Sequence, residues 1–123
     1  MARRKRRTAR TRPAAQAPTR HRITVEAQQG SATLASLRWP HEQRPPTVAD
    51  VLTLLVRLEA QLSIRERKKR ETAFAQARAY VPQLAASGFM APPPVQASFP
   101  KPPLKHGVRV DINVFEGRII PGG

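Results

Sequence analysis

The first 22 residues of the chain cannot contribute to a hydrophobic core. They contain nine Arg or Lys residues, no acidic residue, and no Val, Leu, Ile, Phe, Tyr or Trp. A segment of this composition cannot bury enough apolar surface to offset the conformational entropy that is lost on ordering. We therefore expect residues 1–22 to form a disordered basic arm that becomes ordered when phosphate groups neutralise it.

The charge of this arm indicates its partner. The formal net charge of the chain is +14, and nine of its 22 basic residues lie in the arm. Most are Arg, whose guanidinium group bonds phosphate through two parallel hydrogen bonds. Because the arm has no aromatic side chain for base stacking, we expect nucleic-acid backbone contacts with little sequence specificity. The candidate contacts are Arg3, Arg4, Lys5, Arg6, Arg7, Arg10, Arg12, Arg20 and Arg22. A solubilising or nuclear-import tail, for which residues 3–7 would also serve, is the alternative.

The longest segment without Gly or Pro, residues 47–81, predicts a helix. Thr47 and Asp50 fit a capping box at its start, and we expect one long amphipathic helix over residues 47–88 with a kink near Pro82. Apolar side chains recur there at spacings of three and four, which is typical of a seam between helices. We expect this seam to pack onto a partner subunit through Val48, Val51, Leu55, Leu58 and Leu62.

Charged side chains interrupt this seam at residues 65–71. Pairing of Glu66 with Arg70 and of Arg67 with Glu71 would let a solvated helix continue through the segment. In the alternative interpretation, the basic residues form a second phosphate-contacting surface. That surface would consist of Arg65, Arg67, Lys68, Lys69 and Arg70.

Alternation of apolar and polar residues predicts strands near both ends of the chain. Residues 23–27 and 32–39 indicate a hairpin, although a short helix capped by Ser31 is the alternative for the second part. Residues 108–114 alternate strictly and predict a strand that pairs with residues 23–27 or adds to a neighbouring subunit's sheet. Its apolar face, which we expect to be a partner interface, consists of Val108, Val110, Ile112 and Val114.

These patterns divide the chain into five segments. Residues 1–22 are the nucleic-acid-binding arm, 23–46 a short hairpin and Pro linker, 47–88 the long helix, 89–106 a Pro-rich tether, and 107–123 a C-terminal docking strand or hairpin. The fold class that we predict is mostly α with extended segments and short β-elements. Since the apolar residues are concentrated in one segment, we expect no large independent core.

Residues for catalysis, cofactors or metal ions are not evident. The chain has no Cys, its three His residues lie in different irregular segments, and no phosphate-binding Gly loop occurs. We therefore expect no enzyme, no cofactor, no metal and no small-molecule substrate. No apolar run exceeds three residues, so we expect neither a membrane-spanning nor a secreted protein.

An Arg-rich arm followed by Pro and Ala resembles, in layout, the arms of small viral capsid and nucleocapsid proteins and the extensions of ribosomal proteins. The resemblance covers residues 1–22 and assigns no individual residue. We predict a non-enzymatic structural component of a nucleoprotein assembly, a minor virion or capsid protein that contacts the genome and other subunits, located in a virion or an intracellular nucleoprotein particle. The alternatives are a ribosomal-protein-like RNA-binding subunit and a small regulatory DNA-binding protein that dimerises through residues 48–62.

Overall fold

Four strands form one antiparallel sheet, and two helices cover one face of it. A computed structural model describes residues 19–63, 65 and 70–122. The strands run in the order β2-β1-β4-β3 across the sheet. In chain order the elements are β1 (Arg22–Gln29), β2 (Ala32–Arg38), α1 (Val48–Ala60), α2 (Glu71–Ala86), β3 (Val95–Phe99) and β4 (Arg109–Glu116).

β1 and β2 form the predicted hairpin. Thr24 pairs with Arg38 and Gln29 with Ala32 across a turn in which Gly30 has a φ of +60°. A positive φ is available to Gly without steric cost, so the chain reverses here. The alternative of a short helix capped by Ser31 is wrong, because residues 32–38 extend along β1.

β4 lies in the centre of the sheet and is hydrogen-bonded along both edges. Val25 of β1 and Ala97 of β3 both stand opposite Ile112. The predicted pairing with residues 23–27 is thus confirmed within the same chain. Because no edge of β4 is open, this strand cannot add to a neighbouring subunit's sheet.

The prediction of a mostly α fold with one long helix was wrong. α1 starts at the predicted capping box, in which the Asp50 N–H donates to Thr47 Oγ1 at 3.1 Å and the Thr47 N–H donates to Asp50 Oδ2 at 3.0 Å. It ends at Ala60, and α2 begins at Glu71 and continues through Pro82. The absence of Gly and Pro permits a long helix but does not require one. Two shorter helices bury both apolar stripes on one sheet.

The predicted partner-interface residues lie in the chain's own core. One cluster joins the apolar faces of both helices and of the sheet. Val48 is partly buried at its edge. The other members of the predicted interface are at most 2% exposed: Val51, Leu55, Leu58, Leu62, Val108, Val110, Ile112 and Val114. A partner subunit is therefore not needed to cover these side chains.

The Pro-rich segment 89–106 contributes an edge strand as well as a loop. β3 buries Ala97 and Phe99, and the backbone groups of Ala91 and Gly117 exchange two hydrogen bonds of 2.8 Å. Alternate side chains of β3 complete the core, so this part of the segment that was predicted to be a tether is a strand. Residues 100–108 form the loop that connects β3 to β4.

Candidate nucleic-acid interface

The arm joins the fold at one end of the sheet. We call this the arm end; it contains the start of β1 and the ends of β2 and β4. His21 holds the backbone there, since its N–H donates to the Glu42 carbonyl O at 2.7 Å. Its ring Nδ1 accepts a hydrogen bond from the Arg118 N–H at 3.3 Å. The direction of the chain at residue 21 is thus fixed by two neighbouring segments.

The His21 ring is uncharged in this arrangement. Burial lowers its pKa below the usual value of 6.5, the positive charge of Arg118 lowers it further, and Glu116 acts in the opposite direction. A neutral ring can keep Nδ1 as an acceptor, whereas a protonated ring would place a proton there. This histidine therefore has a structural role at the base of the arm.

Trp39 organises the segment that follows β2. Its backbone N–H donates to the Ile23 carbonyl O at 2.9 Å, and its Nε1–H donates to the Arg44 carbonyl O at 2.8 Å. The Arg44 guanidinium lies 5.0 Å from the centre of the indole ring, and the His41 ring meets the indole edge-on at 5.1 Å. Stacking on the indole restricts the position of the Arg44 guanidinium, although the Arg44 side chain remains 59% exposed.

Four exposed arginines surround this segment and form what we call the arm-end surface. A cavity of about 760 Å³ is lined by Arg20, Arg38 and Arg44 together with Trp39 and His41. A smaller cavity of about 120 Å³ is lined by Arg22, Arg38 and Phe115. Arg38, Trp39 and Glu42 line both cavities, so the two adjoin.

The arm-end surface is strongly positive. Glu42 is the one acidic side chain among the residues that line the two cavities. Asp50 lies 4.0 Å from Arg44, but an exposed pair at this distance neutralises little. Arginines of this kind are suited to bind phosphate groups, and they continue the charge of the arm onto the folded part of the chain.

The predicted nucleic-acid contacts fall into three groups. Arg20 and Arg22 belong to the arm-end surface, and Arg65 is exposed elsewhere. Arg70, in contrast, is only 13% exposed and binds Glu59 at 2.5 Å, so it is a poor phosphate ligand. The others lie outside the described residues: Arg3, Arg4, Lys5, Arg6, Arg7, Arg10, Arg12, Arg67, Lys68 and Lys69.

Sequence reasoning missed Arg38, Arg44 and Phe115. The first two lie at the edges of the segment that was interpreted as a Pro linker. A signal was present there, because two arginines and a histidine surround the single Trp of the chain. Phe115 is 43% exposed. Had the strict alternation of residues 108–114 been continued by one residue, it would have placed this side chain on the face opposite the valines.

The opposite end of the sheet, which we call the loop end, carries a second basic surface. A cavity of about 560 Å³ lies between the β1–β2 turn and the loop 100–108. Lys101, Lys105, His106 and Arg109 line it, and none of its lining residues is acidic. Arg109 is already paired with Asp111 at 3.1 Å, so the lysines carry most of the available charge.

No known protein family, curated protein or solved structure matches the chain. Within the described residues, no group of three or more His, Cys, Asp and Glu side chains is arranged to hold a metal ion. In the same part of the chain, no helix is both long and apolar enough to cross a membrane.

Proposed function

We propose that this protein is a non-enzymatic component of a nucleoprotein assembly and binds nucleic acid through its arm and the arm-end surface together. The observation that carries the proposal is the position of Arg20, Arg22, Arg38 and Arg44, which line two adjoining cavities where the arm meets the fold. Arg20 and Arg22 belong both to the arm and to this surface, so we expect a phosphate backbone bound by the arm to continue onto it. The fold thus extends the binding surface that composition alone assigns to residues 1–22.

The way the arginines are held favours binding. Arg38 ends a paired strand, and Arg44 stacks on an indole that is itself fixed by two hydrogen bonds. Side chains that are already restrained lose less conformational entropy on binding a phosphate than lysines on a loop do. Each phosphate that is neutralised also releases counterions, which makes the affinity depend on salt.

A minor virion protein remains the first candidate within this class, on the layout of the arm and the need of a packaged genome for neutralising charge. The regulatory DNA-binding alternative loses its proposed dimer contact, because the seam at residues 48–62 packs against the sheet. A ribosomal-protein-like subunit would use the same arm. The arm-end surface of such a subunit would have to bind RNA, so titration with both RNA and DNA distinguishes this alternative.

The test compares two charge-matched double variants of the full chain. Arg38→Gln with Arg44→Gln removes two positive charges from the arm-end surface. Arg57→Gln with Arg78→Gln removes two from the exposed sides of the helices. Both proteins are titrated with a single-stranded oligonucleotide, as DNA and as RNA, between 50 and 200 mM salt.

The arm-end variant should bind about tenfold or more weakly at low salt. Its slope of log affinity against log salt should be shallower by about 1.4, since each lost phosphate contact on a single strand contributes about 0.7. The helix variant should behave like the unaltered protein. Equal losses in both variants would mean that net charge alone drives binding, and the arm-end surface would not be the site.

A further inference from the structure

One aromatic ring is exposed beside the arginines at an irregularity in the sheet. Arg22 pairs with Glu116, but Ile23 pairs with Val114, so Phe115 is an extra residue without a partner in β1. The alternation of β4 places the Phe115 side chain on the face of the strand opposite Val114. The neighbouring Val114 is fully buried, whereas Phe115 is 43% exposed.

The surroundings of the exposed ring are cationic. Phe115 lines the smaller arm-end cavity together with Arg22, Arg38 and one acidic residue, Glu42, and Arg38 also lines the larger cavity. An apolar protein partner would have to desolvate these guanidinium groups to reach the ring. A nucleotide offers both complements at once, because its base stacks on a ring while its phosphate binds guanidinium groups.

The other aromatic residue of the site is unsuited to stacking. Trp39 is only 7% exposed, and the Arg44 guanidinium and the His41 ring already lie against its indole. Of these two rings, Phe115 is therefore the accessible one, and the exposed His41 imidazole already packs edge-on against the indole. Trp39, as the single Trp of the chain, is instead a fluorescence reporter for this site.

We propose that Phe115 stacks on an unpaired base and that the arm-end surface consequently prefers single-stranded nucleic acid to duplex. This inference rests on the proposed function and names its ligand class. In a duplex each base is already stacked on its neighbours and closed off by pairing, so a ring on a sheet surface can reach it only after local unstacking. A single strand presents its bases without that cost.

The inference is tested with Phe115→Leu, which removes the ring while keeping an apolar side chain, and with Phe115→Tyr, which retains the ring. Each full-length protein is titrated with a 12-nucleotide single strand and with a 12-base-pair duplex, and quenching of Trp39 fluorescence measures binding. Base stacking contributes about 1–3 kcal/mol, so Phe115→Leu should weaken single-strand binding about 5- to 150-fold. Duplex binding and both salt slopes should be unchanged, and Phe115→Tyr should bind like the unaltered protein.

A second measurement avoids any effect of the substitution on folding. The unaltered protein is titrated with the same single strand after every base has been removed to leave an abasic backbone. Loss of affinity comparable to that of Phe115→Leu would support stacking. Full affinity for the abasic strand, or equal losses of Phe115→Leu on single strand and duplex, would overturn it. If Arg38→Gln with Arg44→Gln still weakened binding in that case, the proposed function would stand without the stacking contact. If the unaltered protein bound neither ligand, the proposed function itself would fail.

Discussion

The two ends of the sheet are both basic, yet they differ in how the charge is held. At the arm end, Arg38 belongs to a strand, Arg44 stacks on Trp39, and the Phe115 ring faces solvent. At the loop end, Lys101 and Lys105 extend from a loop, and the Lys101 ammonium lies 5.4 Å from the centre of the Phe99 ring, which is only 4% exposed. Both ends therefore hold a cation against an aromatic ring, but at the arm end guanidinium groups also lie beside an accessible ring. For the proposed nucleic-acid binding, we expect this combination, rather than positive charge alone, to distinguish the binding surface.

The backbone is also held by more contacts at the arm end than at the loop end. At the arm end, three segments meet at His21 and Gly117, and Ile120 exchanges hydrogen bonds with residues 46 and 48 at 3.0 Å. At the loop end, a Cβ added at Gly30 would meet no atom within 4 Å. Close packing at the arm end leaves little freedom for the chain that leads into the arm.

The largest effect that we expect comes from filling this packed junction. In Gly117→Ala the added Cβ would lie 2.6 Å from the Arg20 carbonyl O and also against His21 Nδ1, at a φ of +87° that side chains rarely adopt. Steric conflict with backbone and the unfavourable φ together should cost about 3–5 kcal/mol of unfolding free energy. Gly30→Ala is the matched control at the loop end, where only the φ of +60° opposes substitution, at about 1 kcal/mol.

Urea denaturation of both variants measures the difference. Equal losses of stability at the two glycines would show that the arm end is no more tightly constrained than the loop end.

The next effect concerns charge at the loop end. Lys101→Gln with Lys105→Gln removes as much charge as Arg38→Gln with Arg44→Gln, but from lysines on a loop, where Lys101 lies 5.4 Å from the centre of the buried Phe99 ring. We expect less than about a threefold loss in affinity for a single strand, against about tenfold or more at the arm end. The same salt titration measures both. A loss at the loop end as large as that at the arm end would indicate one binding track across the whole sheet.

The sequence was sufficient to predict the strands in which apolar and polar residues alternate strictly, and to predict the start of α1. Apolar and polar side chains alternate in residues 23–27 and in residues 108–114. Pairing the two strands buries both apolar faces together. The capping box at Thr47 is a local feature, so it was recognisable without tertiary structure. β3 has the same period in residues 95–99, but the surrounding prolines obscured it.

The rest depended on contacts that are distant in sequence. Both helices cover one sheet, and this sheet decides where the chain breaks between α1 and α2. The same sheet is what the apolar seam of α1 packs against. Arg38 and Arg44 line the same cavity, where Trp39 hydrogen-bonds both to β1 at Ile23 and to the Arg44 carbonyl O. The unpaired position of Phe115 in the pairing of β4 with β1 follows from a one-residue shift in register, which the sequence does not reveal.

The smallest effect that we expect is a dependence of stability on pH at the base of the arm. Burial and Arg118 depress the pKa of His21 in the folded state, so the unfolded chain binds a proton more readily. Stability should therefore be complete above the unfolded pKa of about 6.5 and should decrease as the pH falls below that value toward the folded pKa.

His21→Asn tests this assignment, because an amide oxygen can accept the Arg118 N–H hydrogen bond but does not titrate in this range. Thermal unfolding of the unaltered protein should give a lower Tm at pH 5.5 than at pH 7.5, and His21→Asn should reduce that difference. His41→Gln, on an exposed side chain at the same end of the sheet, should leave it unchanged. A pH dependence that is the same in all three proteins would locate the titrating group elsewhere. His21 would then hold the arm end through its backbone hydrogen bond alone.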